Sequence, residues 1–267
     1  MRLRLLIKFT FLGLFFLVIT MVIIKKLDVK PIQWQLQQFL TIEQKLNYFE
    51  LVCNRLPPSE ALDIQKTPYC GAMKLCEALV GQDVRGFRKD SVFRADGLDI
   101  KGVVHLYSEK PIYNNMLNNS RVYPWTGKLA NVHTLAKIFG IENTKPFEPS
   151  ALVLCDVYKR ELPNRIEISM PVLYYKAKVN CNIYDVRDLA KAFNYADNYS
   201  LLALGIPWES SIEHPMFVEP KIFYQIIWQK AHVRSGEFIN TDSYVLISGG
   251  KDGIYGTEDD ECFLKRP

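Results

Sequence analysis

Residues 242–261 read DSYVLISGGKDGIYGTEDDE, and this stretch decides the fold of the C-terminal half. Ser243 to Ser248 is an apolar run bounded by turn residues, which predicts a strand. Gly249, Gly250, Gly253 and Gly256 then let the backbone take positive φ and turn its carbonyls inward. Asp252, Asp259 and Asp260 supply carboxylate oxygens, and Thr257 adds a hydroxyl or a carbonyl. Oxygen donors held by a sharply turned backbone suit a hard cation such as Ca²⁺. The EF-hand spacing D-x-[DN]-x-[DN]-G with a late Glu is absent. Asp and Gly also make ordinary surface turns, so a plain turn stands beside the metal reading. Glu258 to Glu261 are four consecutive acids, which repel one another unless neutralised.

Outward from this loop, 267 residues at 48% hydrophobic and 23% charged suit one medium-sized globular domain with an accessory segment. A net charge of +4, with no basic stripe interleaved with aromatics, gives no case for nucleic acid. The accessory segment is N-terminal. Arg2, Arg4 and Lys8 precede an apolar run from Phe9 to Ile24, which approaches the ~20 residues needed to cross a bilayer. It ends in Lys25-Lys26 with no small-residue cleavage site, so it reads as an uncleaved anchor rather than a signal peptide. The expected layout is a membrane anchor over 1–30, a stem helix over 31–56 and a globular domain over 57–267, with the bulk of the chain outside a bacterial inner membrane.

Trp34, Phe39, Ile42, Leu46 and Phe49 form an approximate helical stripe, stopped by Pro57-Pro58. Thr67-Pro68 predicts the start of a second helix running to Gly81. Helices are also expected over 132–139, 185–193 and 222–228. Strands are expected over 151–158 and 165–176, where Pro171 argues for an edge or a bulge. Helices and strands are segregated rather than alternating, which gives α+β. None of the six cysteines forms C-x-x-C, and Cys53 with Cys70 is the pair to test as a disulfide.

No catalytic constellation stands out. VLISGGKD, residues 245–252, looks like the S-G-G-x-D-S loop of ATP-pyrophosphatases, but the final Ser is Gly253 and the acids that follow would repel phosphate. His105, His133, His214 and His232 are scattered, and His214 reads as a loop histidine. Asp185, Asp188 and Asp197 read as a solvated helix face and a turn. Asn118 and Asn198 fit the N-glycosylation pattern. A membrane-tethered enzyme or ligand-binding module would need a cleft from Tyr174, Tyr175, Tyr195, Trp208 and the histidines.

The anchor, the stem and the Asp-rich loop together resemble the major pseudopilins of type II secretion, most closely planctomycete-type large variants. The patches carrying the likeness are AMKLCEAL (72–79), RGFRKDSVFRADG (85–97), MPVLYYKA (170–177), YADN (195–198) and residues 246–260. At the front, Phe9-Thr-Phe-Leu matches a prepilin start in part, with Lys8 in place of Gly and Gly13 in place of Glu. The resemblance implies a non-enzymatic subunit with a long N-terminal transmembrane and stem helix packed on a small antiparallel sheet. Its partners would be the membrane, other pseudopilin subunits and inner-membrane secretion components. It further implies a calcium site at the last loop, with Asp252, Asp259 and Asp260 as ligands and Ile254 and Thr257 offering carbonyls.

Overall fold

The computed structural model describes residues 31–107, 129–131, 152–162, 165, 167–178, 189–206, 212–230 and 239–265. The expectations for the 1–30 anchor, the 132–139 helix, Asn118, His133, Asp185, Asp188, Trp208 and His232 lie outside these residues.

Helix α1 covers residues 31–53. Phe39, Ile42, Leu46 and Phe49 recur at helical spacing and are buried, each contributing about 1.5–3 kcal/mol. Asn54 ends the helix at φ +54°, its N–H reaching Glu50 O at 2.7 Å, a left-handed stop that Asn tolerates. Trp34 departs from the expected stripe and is 41% exposed. Gln35 and Gln38 take the inner positions instead. Gln38 Nε2 donates to Cys155 O at 2.8 Å, and Gln35 Oε1 accepts from Val157 N–H at 3.1 Å. Two buried amides thus stitch α1 to residues 155–157.

Helix α2, Gly71–Val80, is buried along its whole length. It begins after its N-cap Cys70 rather than at Thr67-Pro68, because Asp63 Oδ1 captures the Thr67 N–H at 2.9 Å and closes a separate turn. A Cβ at Gly71 would lie 2.1 Å from Tyr174 O, so only glycine lets α2 meet the sheet this closely.

That sheet contains β5 (Leu173–Lys176), β6 (Tyr244–Ser248) and β7 (Glu261–Lys265), all antiparallel with β6 central. Leu173 pairs with Ile247, and Ile247 with Cys262. Alternation sends Tyr174, Tyr244 and Leu246 to one face, against Phe39, Ile42 and Leu46 of α1 and Leu75 and Leu79 of α2. Leu173, Tyr175, Val245, Ile247 and Leu264 face the other side, where they join a cluster with Phe223, Ile226 and Ile227. Those three lie on the helix Pro220–Lys230. Covered on both faces, β6 is buried at every position, which accounts for its unbroken apolar sequence.

Two small antiparallel pairs flank the sheet. β1 (Leu129–Asn131) pairs with β2 (Leu152–Leu154), and β3 (Arg160–Glu161) pairs with β4 (Glu167–Ile168). The expected strand over 165–176 is therefore broken at Pro171, which makes only an isolated bridge to Cys155. Short helices follow at Leu189–Ala192 (α3), Tyr199–Leu202 (α4) and Pro215–Val218 (α5). The longer α6 runs over Pro220–Lys230.

The α+β class holds, but the long transmembrane stem does not. Among the described residues no helix is long and apolar enough to cross a membrane. α1 is amphipathic and carries Gln37, Glu43, Gln44, Lys45, Asn47 and Glu50 among its apolar residues, a composition that a hydrocarbon core does not accept. This overturns the transmembrane stem and, with it, the single-pass inner-membrane localisation. The Cys53–Cys70 pair is also corrected, since both are free thiols.

Candidate cation loop

The loop joining β6 to β7 folds back on itself. Gly250 sits at φ +58°, and a Cβ there would lie 2.1 Å from Asp259 O. Its two limbs therefore touch at a point only glycine permits. Around this contact the polar atoms of the loop converge. Asp259 Oδ2 accepts from Asp252 N–H at 2.9 Å. Thr257 Oγ1 lies 2.7 Å from Asp259 Oδ1 and 3.1 Å from Ile254 O. Asp252 Oδ1 accepts from Ile254 N–H at 2.7 Å, an Asx turn.

Four of the five expected ligands, Asp252, Ile254, Thr257 and Asp259, are thus gathered in one place. Asp260 is turned inward and is 1% exposed. Its Oδ2 accepts from Gly256 N–H at 2.8 Å, while Oδ1 is buried with no protein partner.

The electrostatics follow from crowding. Burial raises Asp252, and the neighbouring Asp259 charge adds to this. Asp259 also feels burial, but hydrogen bonds from Thr257 and the Asp252 amide outweigh it and hold its carboxyl below the usual range. Burial, then Asp259 and Asp252, push Asp260 well above the usual carboxyl range. The donor set is carboxylate, hydroxyl and carbonyl oxygen, without thiolate or imidazole, which fits a hard cation rather than zinc. Among the described residues no group of three or more His, Cys, Asp or Glu side chains forms a metal cluster, so the set depends on the Ile254 carbonyl and the Thr257 hydroxyl beside its carboxylates.

A layer that the sequence did not reveal supports the loop from below. Asp156 is buried and accepts from Ser248 Oγ at 2.9 Å, and burial pushes its pKa up to about 7 despite Arg160 nearby. Arg160, on β3, donates from Nη2 to the Gly250 carbonyl. His214 is buried at the start of α5, where Nδ1 accepts from Tyr255 N–H at 3.2 Å, and burial lowers its pKa to about 4. It is an interior support of the loop, not an exposed loop histidine. Tyr255 OH donates to Pro171 O. The only sequence trace of this layer is a charge, Asp156, directly after the apolar run 151–155.

Other expectations fare differently. Tyr174 and Tyr175 are both buried and belong to different cores on opposite faces of the sheet, so they cannot line one cleft. The S-G-G-K-D run leads into turns and then β7, with no helix N-terminus to cradle a phosphate. Asp197 is buried rather than solvated, and burial raises its pKa to about 6. Asn198 is buried too. Its Oδ1 accepts from Ala72 N–H and its Nδ2 donates to Tyr174 O, both at 2.8 Å, which removes it as a glycan acceptor. No family profile, curated protein or solved structure matches this chain.

Proposed function

We propose that this chain is a non-enzymatic, pseudopilin-like subunit whose C-terminal loop is ordered by Ca²⁺. The observation that carries the reading is the convergence of Asp252, Asp259, Thr257 Oγ1 and Ile254 O around the Gly250 contact, with an unsatisfied Asp260 oxygen in the same loop. Asp252, Asp259 and Asp260 would hold the ion through carboxylates, and Thr257 and Ile254 would complete its oxygen shell. The bound charge neutralises carboxylates that otherwise repel one another and fixes the β6–β7 connection. The patches of sequence likeness and the seating of α1 across a three-stranded antiparallel sheet support the pseudopilin-like reading. Its partners would be other subunits of the same kind, reached through the exposed Leu36, Tyr48 and Leu51 of α1.

The test is thermal unfolding of the full chain with Ca²⁺ or with a chelator. Binding to the native state adds about 2.7 kcal/mol at a hundredfold excess over Kd. The increment should disappear in Asp259→Ala and in Asp260→Ala. An unchanged melting temperature at millimolar Ca²⁺ removes the metal from the proposal.

A further inference from the structure

Among the described residues two basic side chains grip the loop, Lys230 at the Glu258 carbonyl and Arg160 at the crossing point. Nη2 donates to the carbonyl of Gly250, the residue whose Cα abuts Asp259 O. The guanidinium is held there by β3, where Arg160 pairs with Ile168. It is only partly exposed, and the charges acting on it include Asp156, Asp252 and Asp259. Two of those carboxylates are the ones gathered with Thr257 and Ile254 above it. Asp260 Oδ1, in the same loop, is buried with no hydrogen-bond partner.

We infer that Arg160 is a resident counter-charge of the loop, which holds the cation-free form closed and sets the affinity for a divalent ion by competing with it. The inference rests on the proposed Ca²⁺ site and names what tunes it. A positive group fixed beside the carboxylates partly neutralises them before any ion arrives, and it repels the ion that does. The guanidinium fork stays charged throughout the accessible pH range and is less strongly hydrated than an ammonium, which suits a half-buried counter-ion. On this account the loop is tuned to bind weakly and to respond only to high cation concentration.

The experiment is calorimetric titration of Ca²⁺ into the full chain, wild type against Arg160→Met, with melting temperatures in chelator and in saturating Ca²⁺. Arg160→Met should bind at least tenfold more tightly, equivalent to about 1.4 kcal/mol. It should also melt earlier than wild type in chelator and gain more from Ca²⁺. Arg160→Lys, which keeps the charge, should bind within about threefold of wild type. A merely structural prop gives the opposite pattern, weaker binding in Arg160→Met with the same loss of melting temperature in both conditions, and that result overturns the inference. If Arg160→Met does not fold, the decision passes to the Arg160 Nε–H resonance of wild type, assigned through Arg160→Lys. It should shift along the Ca²⁺ binding curve, and a resonance that stays fixed through saturation overturns the inference. Absence of Ca²⁺ binding in both wild type and Arg160→Met refutes the cation site itself. Wild-type binding without tightening in Arg160→Met refutes only the role of Arg160.

Discussion

Glu77→Gln is the most demanding single test of how the first half of the chain is held together. Glu77 lies on α2 and is 2% exposed. Its Oε2 accepts from Tyr69 OH at 2.5 Å and Gln82 Nε2 at 2.9 Å, and its Oε1 accepts from Tyr107 OH at 2.6 Å and from Ser91 Oγ. One carboxylate therefore collects the loops on both sides of α2. Burial, and then the Glu77 charge, push Tyr69 and Tyr107 well above the usual phenol range, so both remain donors. The amide keeps the shape but offers one acceptor oxygen where there were two, and it presents an N–H₂ group to existing donors. Hydrogen bonds to a charged group are worth roughly 1 kcal/mol more than neutral ones. Four such bonds weakened together cost about 4 kcal/mol, a large share of a total that is typically ~5–15 kcal/mol.

The assay is urea denaturation followed by circular dichroism. The midpoint should fall with the slope unchanged, the signature of lost native stability. At about 2–4 °C per kcal/mol for a chain of this size, the melting temperature should drop by about 8–16 °C. A loss under about 1 kcal/mol at constant slope would falsify the reading of Glu77 as the hub of residues 69–107.

Two further predictions test the sheet and the layer beneath the loop. Gly71→Ala places a Cβ 2.1 Å from Tyr174 O, against backbone that cannot step aside. It should cost about 3 kcal/mol or more in the same denaturation assay, and a neutral result would show that α2 does not rest on β5 as described. Stability against pH should carry two opposed slopes. Asp156, raised from 3.8 to about 7, binds its proton more tightly when folded, so its contribution is complete below pH ~4 and is lost as pH rises toward 7. His214, lowered from 6.5 to about 4, contributes above pH ~6.5 and loses that contribution as pH falls toward 4. Asp156→Asn should remove the first slope and His214→Gln the second, and an unchanged profile in either variant refutes the corresponding assignment.

Legibility from sequence tracked locality. The β6 run and its glycine–aspartate loop were readable because strand, turn and donors are contiguous, and the structure gathers Asp252, Ile254, Thr257 and Asp259 as their spacing suggests. The body of α2 was readable from its periodicity. Its start was not, because Asp63 and Gly71 decide it through contacts that composition does not display. The inner face of α1 departs from the expected stripe at Trp34 for a related reason. Polar Gln35 and Gln38 are buried by bonds to Cys155 and Val157, more than 115 residues away in the chain. Glu77, Asp197, Asn198 and His214 share this property. Each looks solvated in sequence, and each is buried against partners brought in by the fold. The apolar run of 9–24 lies outside the described residues, and the described α1 lays its apolar face on the sheet.

These buried polar groups share a physical logic with the loop. β6 is apolar on both faces, so its hydrophobic burial fixes the register of the sheet and little else at its ends. At one end Ser248 passes a hydrogen bond to Asp156, and Asp156 lies beside Arg160, which holds Gly250. At the far side of the loop Tyr255 is tied to Pro171 and to His214. The loop is therefore fastened to β3, to the chain entering β5, to α5 through His214 and the Met216 N–H, and to α6 through Lys230 Nζ on the Glu258 carbonyl. A connection built this way is firm at its base and electrostatically strained at its crest, which is where a divalent ion or a guanidinium has the greatest effect per unit charge. Substitutions in the sheet should therefore act on overall stability, whereas substitutions at Arg160, Asp252 or Asp259 should act on the response to cations.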